Sequence, residues 1–182
     1  VAGLGHRPYG VHVIEPGIDR RYTPGGAPDA VPLVLSVGRL MPSKRVDVLL
    51  RAVAEARLAV GGIRPEAIGE GPEEGALKTL ATDLGMESSV AFRGRLSDEG
   101  LVDAYRRATV LASASISEGW GMTITEAAAC GTPAVVTDIS GHRDAVRDGH
   151  SGLLADGPPD LAARLIEVVG DPGRRAALSA GA

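Results

Sequence analysis

Two acidic side chains, Glu118 and Glu126, stand eight positions apart in the stretch of this sequence that is best suited to bind a ligand. Between them, Gly119 and Gly121 allow a ligand to approach the backbone, because glycine has no side chain. Residues 122–130 are typical of a short helix, and the Gly-Thr-Pro sequence that follows is a helix stop. The sequence therefore predicts a glycine-rich loop, a helix start and two carboxylates at one place.

The expected helix start suits a ligand with phosphate groups. The backbone N–H groups of Gly121, Met122 and Thr123 would be free there, and a helix N-terminus attracts phosphate. A carboxylate repels phosphate but accepts hydrogen bonds from sugar hydroxyls. With Glu118 in the loop and Glu126 in about the first turn of the helix, we expect both to face one crevice. A nucleotide diphosphate sugar carries both kinds of group.

Each acid alone has a simpler interpretation. Glu126 could merely complement the helix macrodipole, a contribution of ~0.3 to 1 kcal/mol, and Glu118 could be a solvated loop charge. The Gly-Trp-Gly sequence, the small-residue helix and its Gly-Thr-Pro stop occur together with the two acids. This combination favours a binding site.

Two cations follow the first confident strand, which is predicted at Val31 to Val37. In an open α/β sheet the ligand lies beyond the carboxyl ends of the strands, where Arg39 and Lys44 are expected. Arginine can clamp two phosphate oxygens and lysine adds a point charge. The alternatives are an edge salt bridge for Arg39 and a solvated side chain for Lys44. A helix is predicted from about Ser43, and a lysine at its start is disfavoured unless an anion is bound there.

The pattern of elements predicts an α/β fold. Apolar strands alternate with amphipathic helices, which indicates a single Rossmann-like domain with a mostly parallel sheet and helices on both faces. The 182 residues are 44% hydrophobic, enough for one core, and 25 glycines suit many tight turns. The further strands are predicted near 65–69, 89–93, 109–112, 134–137 and 152–154, and Ser97 is expected to cap a helix.

Five segments in the same order resemble the retaining glycosyltransferases of family 4, which have the GT-B fold of two Rossmann-like domains. The family motif of two glutamates separated by seven residues is similar to Glu118 to Glu126. The other four segments are Val13 to Asp19, Ser36 to Leu40 with Lys44, Ile68 to Glu73, and Phe92 to Ser97. Glu15-Pro16-Gly17 and Arg45 depart from the usual pattern. The resemblance is to the C-terminal, donor-binding half of such enzymes.

The resemblance implies transfer of a sugar from a nucleotide diphosphate sugar with retained anomeric configuration. Gly38, Arg39 and Lys44 would belong to the diphosphate site, and Glu126 would bind the ribose. Glu118 would hold the sugar hydroxyls without attacking the anomeric carbon. No Asp-x-Asp sequence is present. We therefore expect no metal and no cofactor.

The base is expected against the loop at residues 94–98, where the backbone of Leu96 is the candidate contact in the resembling enzymes. The other interpretation is that Leu96 is an apolar residue packing beside the Ser97 cap. The loop does not indicate which base is bound.

The family pattern places an acceptor-binding domain before the point at which this chain begins, at Val1 without a methionine. We therefore expect a fragment that does not turn over alone, with the acceptor bound mainly by that other domain. Residues 1–30 are predicted to be an interdomain segment with a first strand at Val11 to Ile14, and 31–182 the donor-binding domain. A last helix after Pro172 is expected to have no packing partner in this chain.

Composition argues against several other classes. A net charge of −4 and five aromatic residues argue against nucleic-acid binding. No apolar run approaches the ~20 residues of a membrane span. The single Cys130 permits no internal disulfide, and we expect a cytoplasmic protein. The four histidines lack zinc-site spacing; His142 follows a strand but receives no role.

Two rival interpretations remain open at this point. Residues 69–75 approximate a dinucleotide fingerprint, with Arg93 and Arg95 as partners of an NADP phosphate, but its glycine spacing is wrong by one residue. The second rival is a nucleotide-sugar-binding module that regulates a partner and transfers nothing.

Overall fold

The computed structural model describes residues 16–182, so the strand predicted at Val11 to Ile14 lies outside the described residues. One six-stranded sheet forms the centre of the molecule, and every strand pair in it is parallel. The strands are β1 Leu33–Val37, β2 Arg64–Ile68, β3 Ala91–Phe92, β4 Val110–Ser113, β5 Ala134–Thr137 and β6 Gly152–Ala155.

Seven α-helices connect and cover the strands. They are α1 Val46–Ala59, α2 Glu74–Asp83, α3 Asp98–Arg107, α4 Met122–Ala129, α5 Ser140–Arg143, α6 Pro158–Gly170 and α7 Pro172–Gly181. The side chain of Val34 belongs to a core with α1 and α6, whereas Leu33 and Leu35 belong to a second core with α3 and α4. Alternate residues of a strand point to opposite faces, so the sheet is buried on both sides. The predicted α/β class is confirmed.

The strand order is β3-β2-β1-β4-β5-β6. The chain builds outward from β1 to one edge, then returns to place β4 on the other side of β1. The carboxyl ends of β1 and β4 therefore diverge into loops that leave on opposite sides. Such a point of reversal forms a crevice, which is where open α/β sheets bind ligands.

The connection after β1 differs from its prediction. Pro42–Lys44 form a single 3₁₀ turn, Arg45 follows with φ 46° and ψ 43°, and α1 begins at Val46. The predicted helix is present, but it begins three residues later than the expected Ser43, because the left-handed backbone at Arg45 separates the 3₁₀ turn from α1. Left-handed conformations are uncommon outside glycine, so the sequence carries no signal for this break. Lys44 consequently precedes α1 and does not oppose the dipole within its first turn.

The last helix was expected to lack a packing partner, and this was wrong. Leu178 of α7 is fully buried in the core that contains α1 and α6. The hydroxyl of Ser179 donates a hydrogen bond to the carbonyl of Gly131. A Cβ on Gly181 would lie 2.2 Å from the carbonyl oxygen of His150, so the helix end packs directly on the loop before β6. Helix α7 is thus part of the domain core.

Residues 16–30 lie against α3. The rings of Tyr22 and Tyr105 meet edge to face, with centroids 6.0 Å apart. The N–H of Asp29 donates to the carbonyl of Arg107 over 2.9 Å.

None of the helices at residues 16–182 has both the length and the hydropathy of a membrane span.

Candidate functional site

The crevice at the β1/β4 reversal brings together four of the nine predicted site residues. From the β1 side it is lined by Gly38, Arg39 and Lys44, and from the β4 side by Ser115 and Glu118. Residues from two chain segments more than 70 positions apart therefore meet where the sequence placed a ligand.

Two hydrogen bonds fix the Glu118 side chain in the crevice. Its Oε1 accepts hydrogen bonds from Lys44 Nζ at 2.5 Å and from Ser115 Oγ at 2.7 Å. The Glu118 side chain is only 17% exposed and that of Lys44 27%. Burial raises the pKa of the Glu118 carboxyl, but the hydrogen bonds from Lys44 and Ser115 outweigh burial, and the pKa lies below its usual range. Glu118 is therefore a charged carboxylate whose Oε2 is left for a ligand.

A second layer of hydrogen bonds holds Ser115 in place. The hydroxyl of Thr137, at the end of β5, donates to the carbonyl of Ser115 over 2.6 Å. The Nδ1 of His142 donates to the carbonyl of Thr137 over 2.7 Å. Neither Ser115 nor Thr137 was predicted, although Ser115 follows a predicted strand and Thr137 ends one, where ligand residues are expected.

His142 is buried, and its Nε2 makes no hydrogen bond. Burial lowers the pKa of the imidazole, and this outweighs the opposing effects of the Thr137 carbonyl and the nearby Glu118 charge. Because Nδ1 faces a carbonyl, which can only accept, the neutral ring carries its proton on Nδ1. The ring therefore stands neutral behind Glu118.

The start of α4 is as open as predicted. Gly121 takes a left-handed conformation with φ 78° and no side chain caps the helix. Within residues 16–182 the N–H groups of Gly121, Met122 and Thr123 make no hydrogen bond. No acidic residue lies in the first turn. These donors can bind an anion, as a free helix N-terminus does.

Glu126 is the fifth residue of α4 and lies just beyond the first turn in which it was expected. Its Oε2 accepts a hydrogen bond from the hydroxyl of Tyr105 over 2.7 Å. Glu118 and Glu126 share no hydrogen-bond partner, because one is held by the β1 and β4 loops and the other by α3. Their joint role at one ligand stays a prediction.

The loop after β1 is held close to the loop after β2. The N–H of Leu40 donates to the carbonyl of Glu70 over 2.9 Å. A Cβ on Gly69 would lie 2.0 Å from the carbonyl oxygen of Gly38, and one on Gly71 2.2 Å from that of Leu40. These two glycines are needed for contact between protein backbones. The dinucleotide interpretation of residues 69–75 loses its basis, because its first two glycines pack against protein backbone and leave no room there for a ligand.

The remaining predicted residues are compatible with their roles. Arg39 is exposed and forms no ion pair with any residue in the described range. Leu96 packs partly against the core beside α3, as its simpler interpretation requires. Its backbone N–H makes no hydrogen bond within residues 16–182, so the contact to a base stays a prediction as well.

Among the described residues no three His, Cys, Asp or Glu side chains are grouped to hold a metal ion. Metal-independent chemistry remains a prediction.

Known proteins are similar to this chain in sequence and in fold. The chain is 39% identical over 199 residues to a D-inositol 3-phosphate glycosyltransferase of Rhodococcus jostii, covering 99% of this chain and 44% of that protein. It is 41% identical to the protein of the same name from Thermomonospora curvata, over 93% of this chain and 42% of that one. The chain thus spans less than half the length of these curated relatives.

Solved structures agree with the GT-B architecture. The pneumococcal O-GlcNAc transferase GtfA, in complex with UDP and GlcNAc, matches 87% of this chain with a TM-score of 0.80 and 25% identity, over 33% of its own length. Anabaena HepE, in complex with UDP and glucose, matches 84% with a TM-score of 0.75 and 25% identity, over 42% of its length. The family model described as Glycosyl transferases group 1 matches residues 23–182. The chain belongs to this glycosyltransferase family.

Proposed function

We propose that this chain is the donor-binding domain of a retaining, family 4 glycosyltransferase that uses a nucleotide diphosphate sugar. The observation that carries the proposal is the arrangement of Glu118 between Lys44 and Ser115, beside the uncapped start of α4. The cations Arg39 and Lys44, the charged Glu118 carboxylate and, beginning three residues after Glu118, the free amides of the α4 start support the proposal. A diphosphate and a sugar together match this set of groups.

The diphosphate would lie between the first turn of α4 and the loop after β1. Arg39 and Lys44 supply positive charge, and the amides of Gly121, Met122 and Thr123 supply hydrogen-bond donors. As the bond from sugar to phosphate breaks, negative charge grows on the leaving diphosphate. Donors already aimed at that charge lower the barrier without needing a metal ion.

Glu118 would hold hydroxyl groups of the transferred sugar through Oε2. Its Oε1 is already saturated by Lys44 and Ser115, so the carboxylate is fixed in orientation before the donor arrives. Such preorganisation aligns the anomeric carbon with the acceptor. Glu126 would bind the ribose, and the backbone of Leu96 the base.

The proposal also covers the acceptor, turnover and the location of the whole protein. The preceding half of a GT-B enzyme would bind the acceptor, and the isolated chain is not competent for turnover. D-inositol 3-phosphate is the first acceptor to test with a full-length enzyme, because it gives the curated relatives their name. A cytoplasmic location belongs to this proposal too.

The test is calorimetric titration of the chain with UDP, GDP and ADP, repeated with Arg39→Ala and Glu126→Ala. We expect one nucleotide to bind and each substitution to weaken it about 10- to 100-fold, since a hydrogen bond to a charged group is worth ~1.5 to 3 kcal/mol. Arg39→Ala should change the melting temperature little, because the side chain is exposed. Glu126→Ala also leaves the buried phenol of Tyr105 without its hydrogen-bond acceptor, so it should lower the melting temperature as well.

Arg175→Ala is the matched control. Arg175 lies on α7, beside Thr109 and Pro133. These two residues precede β4 and β5, so Arg175 lies at the amino ends of the strands, whereas the crevice lies at their carboxyl ends. It removes the same charge without touching the crevice, so affinity should be unchanged. If Arg39→Ala and Glu126→Ala bind as tightly as Arg175→Ala, the site is wrongly assigned.

A further inference from the structure

We propose that Tyr105 is a positioning residue for the ribose site, whose phenol fixes the Glu126 carboxylate and thereby sets the preference of the domain for nucleotides with both ribose hydroxyls. This inference rests on the proposed function, because it takes Glu126 as the ribose ligand. It adds a residue of α3 that lies outside the crevice and that the sequence patterns did not single out.

Tyr105 is held rigidly at a place that a ligand does not reach. Its side chain is fully buried in the core between the sheet and helices α3 and α4. Tyr22 packs edge to face against the ring at 6.0 Å. The carbonyl of Tyr105 accepts a hydrogen bond of 2.6 Å from the hydroxyl of Thr132, which anchors the end of α3 to the start of β5. The phenol oxygen therefore has a fixed position.

The phenol makes one polar contact, to Oε2 of Glu126 at 2.7 Å. Burial raises the pKa of Tyr105, and the hydrogen bond and charge of Glu126 raise it further, so the phenol keeps its proton and donates at any physiological pH. A carboxylate has about four acceptor positions, of which this bond uses one. Burial and then the charge of Glu126 raise the pKa of Tyr22, so this second phenol also lies near the carboxylate. Two neighbouring ribose hydroxyls would use the acceptor positions that remain.

Fixing Glu126 matters because a free glutamate side chain samples many rotamers. A flexible carboxylate would have to be ordered by each ligand that binds, and that entropy cost reduces affinity. The hydrogen bond from Tyr105 already orders the Glu126 side chain in the folded protein, so a ligand does not have to supply this entropy cost. The two neighbouring ribose hydroxyls can then donate to a Glu126 carboxylate that is already oriented. A nucleotide without those hydroxyls gains no affinity from this orientation.

The competing explanation is that Glu126 simply satisfies a buried phenol, as most buried tyrosines require. Both explanations predict that Tyr105→Phe loses some stability. Only the positioning role predicts that the variant discriminates less between ribose and deoxyribose, so the test must measure this discrimination.

The experiment compares UDP with 2′,3′-dideoxy-UDP by calorimetry for the wild type and for Tyr105→Phe. We expect the wild type to prefer UDP by about 10-fold or more, and Tyr105→Phe to reduce this ratio about 5-fold while binding the dideoxy nucleotide as before. The ratio is taken within one protein, so partial unfolding lowers both affinities equally and leaves it unchanged. In a Glu126→Ala background, Tyr105→Phe should have no further effect.

Thr132→Val is the matched control, because it removes the hydrogen bond to the carbonyl of Tyr105 and leaves the phenol in place. It should lower the melting temperature with the ribose preference intact. An unchanged ratio in Tyr105→Phe overturns the inference and leaves the proposed function standing. Equal affinity of the wild type for UDP and its dideoxy form overturns the ribose assignment and the inference with it. If GDP or ADP binds and UDP does not, the comparison is made with that nucleotide and its 2′,3′-dideoxy form; failure of all three to bind overturns both.

Discussion

Gly141, at the start of α5, offers a sharp test of how Glu118 is positioned. A Cβ at this residue would lie 2.4 Å from the carbonyl oxygen of Glu118, 2.8 Å from its carbonyl carbon and 3.0 Å from its Cβ. These are backbone atoms or fixed to the backbone, so no side-chain rotation relieves the contact. Gly141→Ala must push the loop at Glu118 away from α5.

The displacement can be estimated from the contact distances. Ordinary contact begins near 3.4 Å, so the Glu118 carbonyl must move by about 1 Å. Overpacking of this kind costs ~1 to 3 kcal/mol, and the helix preference of alanine over glycine returns up to ~1 kcal/mol. We expect a net loss of about 1 to 2 kcal/mol. For a domain of this size the melting temperature falls by ~2 to 8 °C.

The functional effect should exceed the loss of stability. Glu118 is held by bonds of 2.5 and 2.7 Å, and a shift of about 1 Å breaks their geometry. A misplacement of this size in a catalytic site can cost ~100-fold in rate. The assay is calorimetry with UDP-glucose and UDP-GlcNAc relative to UDP, together with urea denaturation. Gly141→Ala should lose the additional affinity that the sugar contributes.

Gly61→Ala provides the control, in the turn before β2 and away from the crevice. A Cβ at Gly61 meets no atom within 4 Å, and its φ angle is not in the left-handed region. The variant should match the wild type in stability and in the contribution of the sugar. If Gly141→Ala is as stable as Gly61→Ala and retains the same contribution, the packing of α5 does not position Glu118.

Two further predictions concern stability. The buried His142 has a pKa lowered from 6.5, so the unfolded chain takes up a proton first as pH falls; its contribution is complete above about pH 6.5 and is lost below it. Urea denaturation should show the wild type losing more stability than His142→Leu between about pH 7.5 and 5.5, and parallel losses would contradict the burial argument. Leu178→Ala should cost ~2 to 5 kcal/mol in the same assay, whereas Leu58→Ala, with 89% of the residue exposed, should cost little; similar values would show that α7 is not part of the core.

Elements whose signals are local could be predicted from the sequence. Helix α4 begins at Met122 as predicted, because glycines precede it and a Gly-Thr-Pro stop follows. Ser97 caps α3 by accepting from the N–H of Gly100 at 3.1 Å. Strand β5 spans Ala134–Thr137 as expected from its apolar run. In each case the residues that determine the element lie within it or beside it.

Elements that depend on distant parts of the chain could not be predicted. A strand was expected from Ser89 to Arg93, but the N–H groups of Ser89 and Val90 both bond to the carbonyl of Met86, so a turn uses them and only Ala91–Phe92 pair with β2. The partners of Leu178 likewise come from segments far away in sequence. Propensity gives no information on such competition between a local turn and a long-range pairing.

The candidate site likewise contains residues that could be predicted from the sequence and residues that could not. Glu118, Glu126, Arg39 and Lys44 were predicted as ligand residues from residue type, spacing and the family resemblance, because charge and helix position are visible in the sequence. Tyr105 was not found, since it lies in an apolar stripe of α3 and resembles an ordinary core residue. Residues that act on a ligand carry a chemical signal, whereas residues that hold them depend on contacts across the fold.

The pairing of Lys44 with Glu118 also explains how the crevice can contain both charges before a donor binds. Two partly buried side chains of opposite sign lie 2.5 Å apart, so neither is left uncompensated. A diphosphate would compete for Lys44 and draw its ammonium toward the α4 N-terminus, while Ser115 continues to hold Oε1 of Glu118. The carboxylate would then lose one donor at the moment when sugar hydroxyls arrive to supply others. Under the proposed function, phosphate binding would therefore free the Glu118 carboxylate for sugar hydroxyls, and the two halves of the donor would be recognised cooperatively.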